Sequence, residues 1–461
     1  MKLYKTFSVH ISVVIIFLLL SVSYKAQIKE SKYKEVDSLT QSGSIINAMA
    51  ATRKLEGELI KDSTTSTYWI KYAKAANNIY RTKDAKAAMQ KAVNKDKNDA
   101  NAYYEKGRLH NMMNEFPEAL FSLNRAIELK PEAEYYYWRG IIYQRQEDND
   151  KAMMDYDVAM SKSFETAEMY NNYAILLAQK ENYDKALLVI NKAILLKPDY
   201  AEAYSARAKI YFYTYRLDSA CVDKDKSWSL GYKKAITIPD EICKGSQTIK
   251  LQYAAEMMMQ TNMHKQAIIG FNWLMQLHPD SSNYCLNRGF CYYKLKEYDK
   301  AEKDYVDALE LKRPDKKLLY SNMSLLYFDV NNYEKSVEAS SQWIKLDPKD
   351  YIAYVERGLS YRKLKKFKEA EADFNKSLAL KPDYFRALGY RSFLFLELGK
   401  YEKAREDAQK SVDLKPEYGY GYVVLGQAKK ELGIEGYCLD FLQAKKFNGP
   451  DAGELISRFC K

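Results

Sequence analysis

Four cysteines fall into two pairs with the same spacing and the same neighbours. Cys221 and Cys243 are separated by 22 positions, and so are Cys438 and Cys460. Cys221-Val222-Asp223 corresponds to Cys438-Leu439-Asp440, Ala235 to Ala452, and Lys244 to Lys461. If the chain turns at Asn448-Gly449, Cys438 and Cys460 reach heights on two antiparallel helices that agree within about 3 Å. The sulfurs could then bridge, and closing a loop of this size would be worth about 3 kcal/mol. The alternative is that both pairs are small apolar packing residues. Pro239 interrupts the helical pattern of the first pair, which makes Cys221–Cys243 the weaker case. Cys285 and Cys291 lie on one predicted helix and do not readily bridge each other.

Other chemistry is sparse. Of the four histidines, His10 lies in the N-terminal stretch and His110 stands where the chain otherwise places a packing aromatic. His264 falls in a predicted turn and His278 precedes Pro279, and neither has a partner at metal-ligand spacing. There is no Gly-rich phosphate loop, HExxH or GxSxG. Acidic pairs such as Asp155 and Asp157 read as solvated charges on an exposed helix face. No cofactor and no metal is expected, and the chain reads as a non-enzyme. An envelope hydrolase would need a metal or nucleophile that this sequence does not display.

The elements that carry these residues repeat. In Tyr351–Asp383, Tyr354, Gly358 and Tyr361 lie on one helical face, and Ala370, Phe374 and Ser377 on another. Lys363, Lys365 and Lys366 form a polar turn, and Pro382 closes the unit. Each helix alone is too short and one-sided to be stable, so the pair must bury its stripes against neighbours. The pattern resembles the tetratricopeptide repeat. The same pattern recurs at 66–99, 100–132 (Tyr103, Gly107, Ala119, Ala126, Pro131), 133–166, 167–200 and 201–232, breaks at 235–250, and resumes through 248–281, 282–316, 317–350, 351–384 and 385–418. The resemblance implies an all-α fold, an α-solenoid of antiparallel helix pairs in two similar arrays. The expected organisation is a signal peptide at 1–26, a helical region at 27–65 with a possible degenerate repeat, a first array with its capping segment at 66–245, and a second array with a C-terminal cap at 248–461. Solenoids need atypical ends to cover the last apolar face, which is the role expected of the cysteine-bearing segments.

Composition agrees. The chain of 461 residues exceeds what one core usually holds, and 10 prolines with 18 glycines argue against a loop-rich or β-rich fold. The net charge of +11 includes three lysines in residues 1–26, and the other charges mostly alternate in sign. That describes solvated helix faces, and no basic stripe interleaved with aromatics points to nucleic acid. Lys2 and Lys5 precede an apolar run, Ile11–Leu20, and small or polar residues follow up to Ala26, as in a secretory signal peptide. Tyr24 is a poor residue for the cleavage site, so an uncleaved anchor is the alternative and would be the chain's one membrane contact. An exported protein is expected either way.

In the resembled family the first helix of each pair lines a concave groove. In the first array that stripe includes Lys74, Asn77, Tyr104, Arg108 and Asn111, polar residues suited to an extended peptide or a carboxylate. In the second it includes Leu286, Phe290, Tyr293, Leu325, Phe328, Ile352, Val355, Leu359 and Phe393, an apolar stripe suited to an amphipathic helix. Tyr104 and Arg108 do not match the Lys/Asn pattern of the family's carboxylate clamp, so clamp-type recognition is not expected. The resulting expectation is a non-enzymatic scaffold of the cell envelope that binds a protein or peptide through the apolar groove of the second array, with a module self-associating through the same stripe or an assembly factor as the alternative.

Overall fold

The computed structural model describes residues 27–460 apart from 28, 58, 59, 233 and 235–237. The expected signal peptide, Ala235 and Lys461 lie outside the described residues. Among the described residues every named element is helical and no strand forms. None of these helices is long and apolar enough to cross a membrane. The chain divides into two compact units, one running to Ile210 and taking in 222–237, the other taking in 211–221 and everything from Ile238 onward.

Within each unit, helices pair by one local mechanism. In the repeat that begins at Tyr351, the inner helix Tyr351–Lys363 is followed by the outer helix Phe367–Leu380. Asp350 caps the inner helix by accepting the Ile352 amide at 3.1 Å. Lys365 adopts a left-handed φ of 56°, which lets the Lys366 amide return to the Tyr361 carbonyl at 2.9 Å and end the helix. Asn114, Glu147, Glu181 and Asn331 do the same in other copies. The close approach of the two helices requires glycine on the inner one. A Cβ on Gly358 would lie 2.9 Å from the Phe374 ring, and one on Gly140 would lie 2.7 Å from Tyr156. Phe374 and Tyr156 are fully buried.

Successive pairs are joined by an ion pair with a buried aspartate, which the residue types alone do not reveal. Asp155 was expected to be solvated, yet it is buried and binds Arg139 through both oxygens, at 2.8 and 2.7 Å. The third Arg139 nitrogen reaches Asn124 on the preceding outer helix at 2.7 Å. Arg207 repeats this with Asp223 and Asn191. In the second unit Arg288 binds Asp304 and Asn272, Arg357 binds Asp373 and Ser341, and Arg391 binds Asp407 and Asn375. Asp157, the other half of the expected solvated pair, accepts the Tyr173 hydroxyl of the next repeat at 2.7 Å. An acid three residues after the helix-packing alanine points between helices, not outward.

The ends of the arrays differ from the repeats. Helices 29–41 and Ile45–Gly57 close a cluster of Val36, Ala51, Leu55, Tyr68 and Ala75. At the C-terminal end, helices Tyr437–Lys446 and Ala452–Phe459 form a hairpin held by Cys438–Cys460, with Cα atoms 5.6 Å apart. Cys221–Cys243 is also joined, with Cα atoms 5.8 Å apart. Pro239 does not obstruct it, because it precedes the short helix Asp240–Lys244 and does not interrupt it. Cys285 and Cys291 are free, buried thiols, and burial pushes both up to about 12. His264 does not sit in a turn; it opens the helix His264–Leu277 and is buried.

Two outcomes follow. Asp373→Ala should cost about 3 kcal/mol in denaturant unfolding, because it leaves a half-buried guanidinium without its carboxylate, whereas Arg357→Met with Asp373→Leu together should cost much less. Equal losses would show that the fork does not act as a pair. Alkylation of the unfolded protein should label two thiols without reductant and six with it.

Candidate partner-binding surfaces

The first unit gathers three of its five polar stripe residues around one cleft. Lys74, Asn77 and Arg108 line a cleft of ≈ 390 Å³ together with Asp37, Glu105 and Met112. Their positions follow from the helices Ser66–Asn78 and Ala100–Met112, which lie side by side as successive inner helices. Glu105 is almost fully buried and receives both Lys74 and, at 3.5 Å, Arg108. The Arg108 guanidinium lies 4.5 Å from the Trp138 ring and 5.5 Å from Tyr104, with its Nε buried and unpartnered. Asp37 is engaged by Lys71 at 2.6 Å.

The other two expected residues are occupied by the protein itself. The Tyr104 hydroxyl donates to Glu134 at 2.5 Å, and its ring stacks on Tyr135. Asn111 is buried, and its Oδ1 accepts from Arg145 at 2.8 Å. Farther along the stripe, Asn171 is buried with its Oδ1 lacking a hydrogen-bond partner. His110 packs as expected, and its Nδ1 pairs with Glu115 Oε2 at 2.7 Å, an acid that also takes Lys86.

In the second unit the expected apolar stripe is not continuous. Leu286, Val355 and Leu359 are buried between helices and offer no free surface. Phe290, Tyr293, Phe328, Ile352 and Phe393 are half-buried, and Leu325 is 38% exposed, beside Leu318 at 44%. Charges interrupt the row. The Tyr293 hydroxyl donates to Asp329 at 2.7 Å, Lys294 lies 5.2 Å from the Phe290 ring, and Arg362 lies 4.6 Å from the Phe393 ring while binding Glu397 at 3.0 Å. Val355 and Leu359 pack against the neighbouring inner helix and are consumed by the stack, whereas Leu325, at the place in its repeat that Leu359 holds in the next, stays exposed. Glu356, which the stripe does not include, is buried among these helices, and burial pushes its carboxyl above the ordinary range with Arg386 opposing and Asp329 adding to the shift. Nothing in its local sequence distinguishes it from a solvated glutamate.

Among the described residues no group of three or more His, Cys, Asp or Glu could hold a metal ion. Both surfaces instead present hydrogen-bonding and apolar groups along inner helices.

Comparison with known proteins identifies the repeats. One tetratricopeptide-repeat family model matches residues 282–313 and 351–384, and a second matches 100–132, 167–200 and 388–418. The chain is 28% identical over 120 residues to the BBSome complex member BBS4 of Bos taurus, covering 26% of this chain and 23% of that one. It is 35% identical over 83 residues to serine/threonine-protein phosphatase 5 of Homo sapiens, covering 18% and 16%. It is 20% identical over 249 residues to DnaJ homolog subfamily C member 7 of Homo sapiens, covering 54% and 49%. The chain thus spans less than half the length of each of these relatives. Among solved structures, the APC/C hetero-tetramer Cut9-Hcn1 aligns with 92% of this chain and 94% of its own at 13% identity and a TM-score of 0.42. MamA 41-end from Desulfovibrio magneticus RS-1 aligns with 38% of this chain and 98% of its own, at 15% identity and a TM-score of 0.35. The chain therefore contains tetratricopeptide repeats, two matched in the first unit and three in the second, and its described residues form all-helical repeats of the kind that serve as a protein-interaction scaffold.

Proposed function

We propose that this chain is a non-enzymatic scaffold of the cell envelope that holds an extended, acidic segment of a partner protein against the inner helices of its first unit. The observation that carries this reading is the convergence of Lys74 and Arg108 on the single carboxylate of Glu105 at an open cleft. Two cations on one carboxylate leave a positive charge for an incoming anion, and a guanidinium suits bidentate carboxylate binding. Asn77 beside them supplies a hydrogen bond to an extended backbone.

The envelope assignment is supported by the basic, apolar and small-residue pattern of residues 1–26 and by four of six cysteines standing in disulfides, a state that an oxidising compartment maintains. A second reading places an apolar segment on the second unit, and the exposure of Leu318 and Leu325 on its inner stripe favours it.

Fluorescence anisotropy with an extended Asp/Glu-rich peptide separates the two. Binding should weaken steeply with salt, and Lys74→Glu with Arg108→Glu should reduce it at least about tenfold while far-UV circular dichroism stays unchanged. Phe290→Glu with Leu325→Glu should leave it intact. The reverse pattern assigns binding to the second unit, and indifference to both pairs sinks the inner-helix reading.

A further inference from the structure

The outer face of the first unit carries a row that the inner-helix reading does not use. Ala85, Ala119, Ala152, Ala186 and Ala220 are the buried alanines by which each outer helix packs on its partner. Two residues after them stand Ala87, Phe121, Met154, Leu188 and Val222, and all five are exposed. Phe121 is 69% exposed, Met154 67%, Leu188 70% and Val222 67%, values typical of a solvated lysine position, not of a large apolar residue. Because every connection reverses the chain, outer helices of successive repeats run parallel and these side chains stand in register along the stack. The second unit shows what the position carries by default. There it is Lys303, Glu338, Ala372 and Glu406, all exposed, with Ile269 the one large apolar residue.

The borders of the row are charged with opposite signs. On the side of the helix N-termini lie the first-turn acids Asp84, Glu118, Asp150 and Asp184. On that side Lys151 and Lys185 are drawn to Asp148 and to the Tyr173 hydroxyl, Asp84 and Asp150 are paired with Arg81 and Lys180, and Glu118 and Asp184 are the border acids without an ion pair among the described residues. One turn after the row, on the other side, lie Lys91, Lys192 and Lys226, together with Arg125, which is paired with Glu128. Between Ala87 and Phe121 the outer helices leave a recess of ≈ 570 Å³ bordered by Gln90, Lys106 and Pro117.

We propose that this row is a self-association surface, occupied by the same row of a second copy of the chain. Single apolar side chains one repeat apart, on outer helices each separated from the next by an inner helix, do not match an amphipathic helix, whose apolar positions recur about every 5.4 Å. Another stack of these repeats has the matching period. A two-fold axis running along the row lays Phe121 on Phe121 and Leu188 on Leu188, and it sets the acidic border of each copy against the basic border of the other. A two-fold axis across the row would set acid on acid. The charge pattern therefore selects an isologous, in-register dimer.

Sedimentation equilibrium of the full chain over a concentration series tests this. A concentration-dependent dimer is expected, and Phe121→Glu with Leu188→Glu should raise its dissociation constant by about a hundredfold or more, while Lys303→Ala on the second unit changes nothing. Asp184→Lys alone and Lys192→Asp alone should each weaken the dimer, whereas mixing the two variants should restore it, because both border contacts then pair opposite charges. A monomer at every concentration, or a dimer indifferent to the Phe121 and Leu188 changes, overturns the proposal. Co-sedimentation of a monomeric chain with anionic lipid vesicles, lost in the same double variant, would instead assign the row to a membrane surface and equally overturn it.

Discussion

Arg139, Arg207, Arg288, Arg357 and Arg391 each bind a buried aspartate on their own outer helix and an oxygen on the outer helix before it. Helix pairs of this length cannot stand alone, and apolar packing by itself allows neighbouring pairs to slide. A planar guanidinium with three of its nitrogens committed does not slide, because shifting the register would strand a buried carboxylate. The fork ties nearest neighbours only, which is what makes the stack a sum of local interfaces. Where it is missing, weaker substitutes appear. In the repeat at 100–132, Lys106 and Ser122 occupy the two places, and Lys106 reaches back to Gln90 at 2.9 Å.

That rigid frame makes position within the repeat more informative than residue type. Lys74, Asn77 and Arg108 meet at one cleft because equivalent places on successive inner helices are adjacent. Phe121, Met154, Leu188 and Val222 line up for the same reason on the outer helices. The molecule thus offers two kinds of surface from one periodic scaffold. A polar inner cleft suits an extended chain, while an apolar outer row suits an object with the same period.

The two cysteine pairs repeat one local geometry. Each cysteine pair joins an outer helix to the segment that returns over it, at almost the same Cα separation despite the proline in one copy. The first array begins differently, with Tyr33 donating to Asp62 and Lys71 binding Asp37 across the extra helices. These N-terminal helices and the C-terminal hairpin each cover a terminal apolar cluster.

Helical periodicity made the fold legible. Tyr354, Gly358, Ala370 and Phe374 can pack only on two short antiparallel helices, and their recurrence determines a stack of such pairs. The equivalence of the cysteine pairs was also readable, because it is a matter of spacing. Which side chains remain accessible was not. A period of 3.6 residues places Val355 and Leu359 on the same stripe as Leu325, but the first two are buried by the next inner helix and the last is not. Asp155 and Leu188 invert their residue types for the same reason, the acid lying between helices and the leucine facing outward. Sequence specified the faces of each helix through local geometry. Tertiary structure decided which faces were covered, because that depends on the neighbouring repeat.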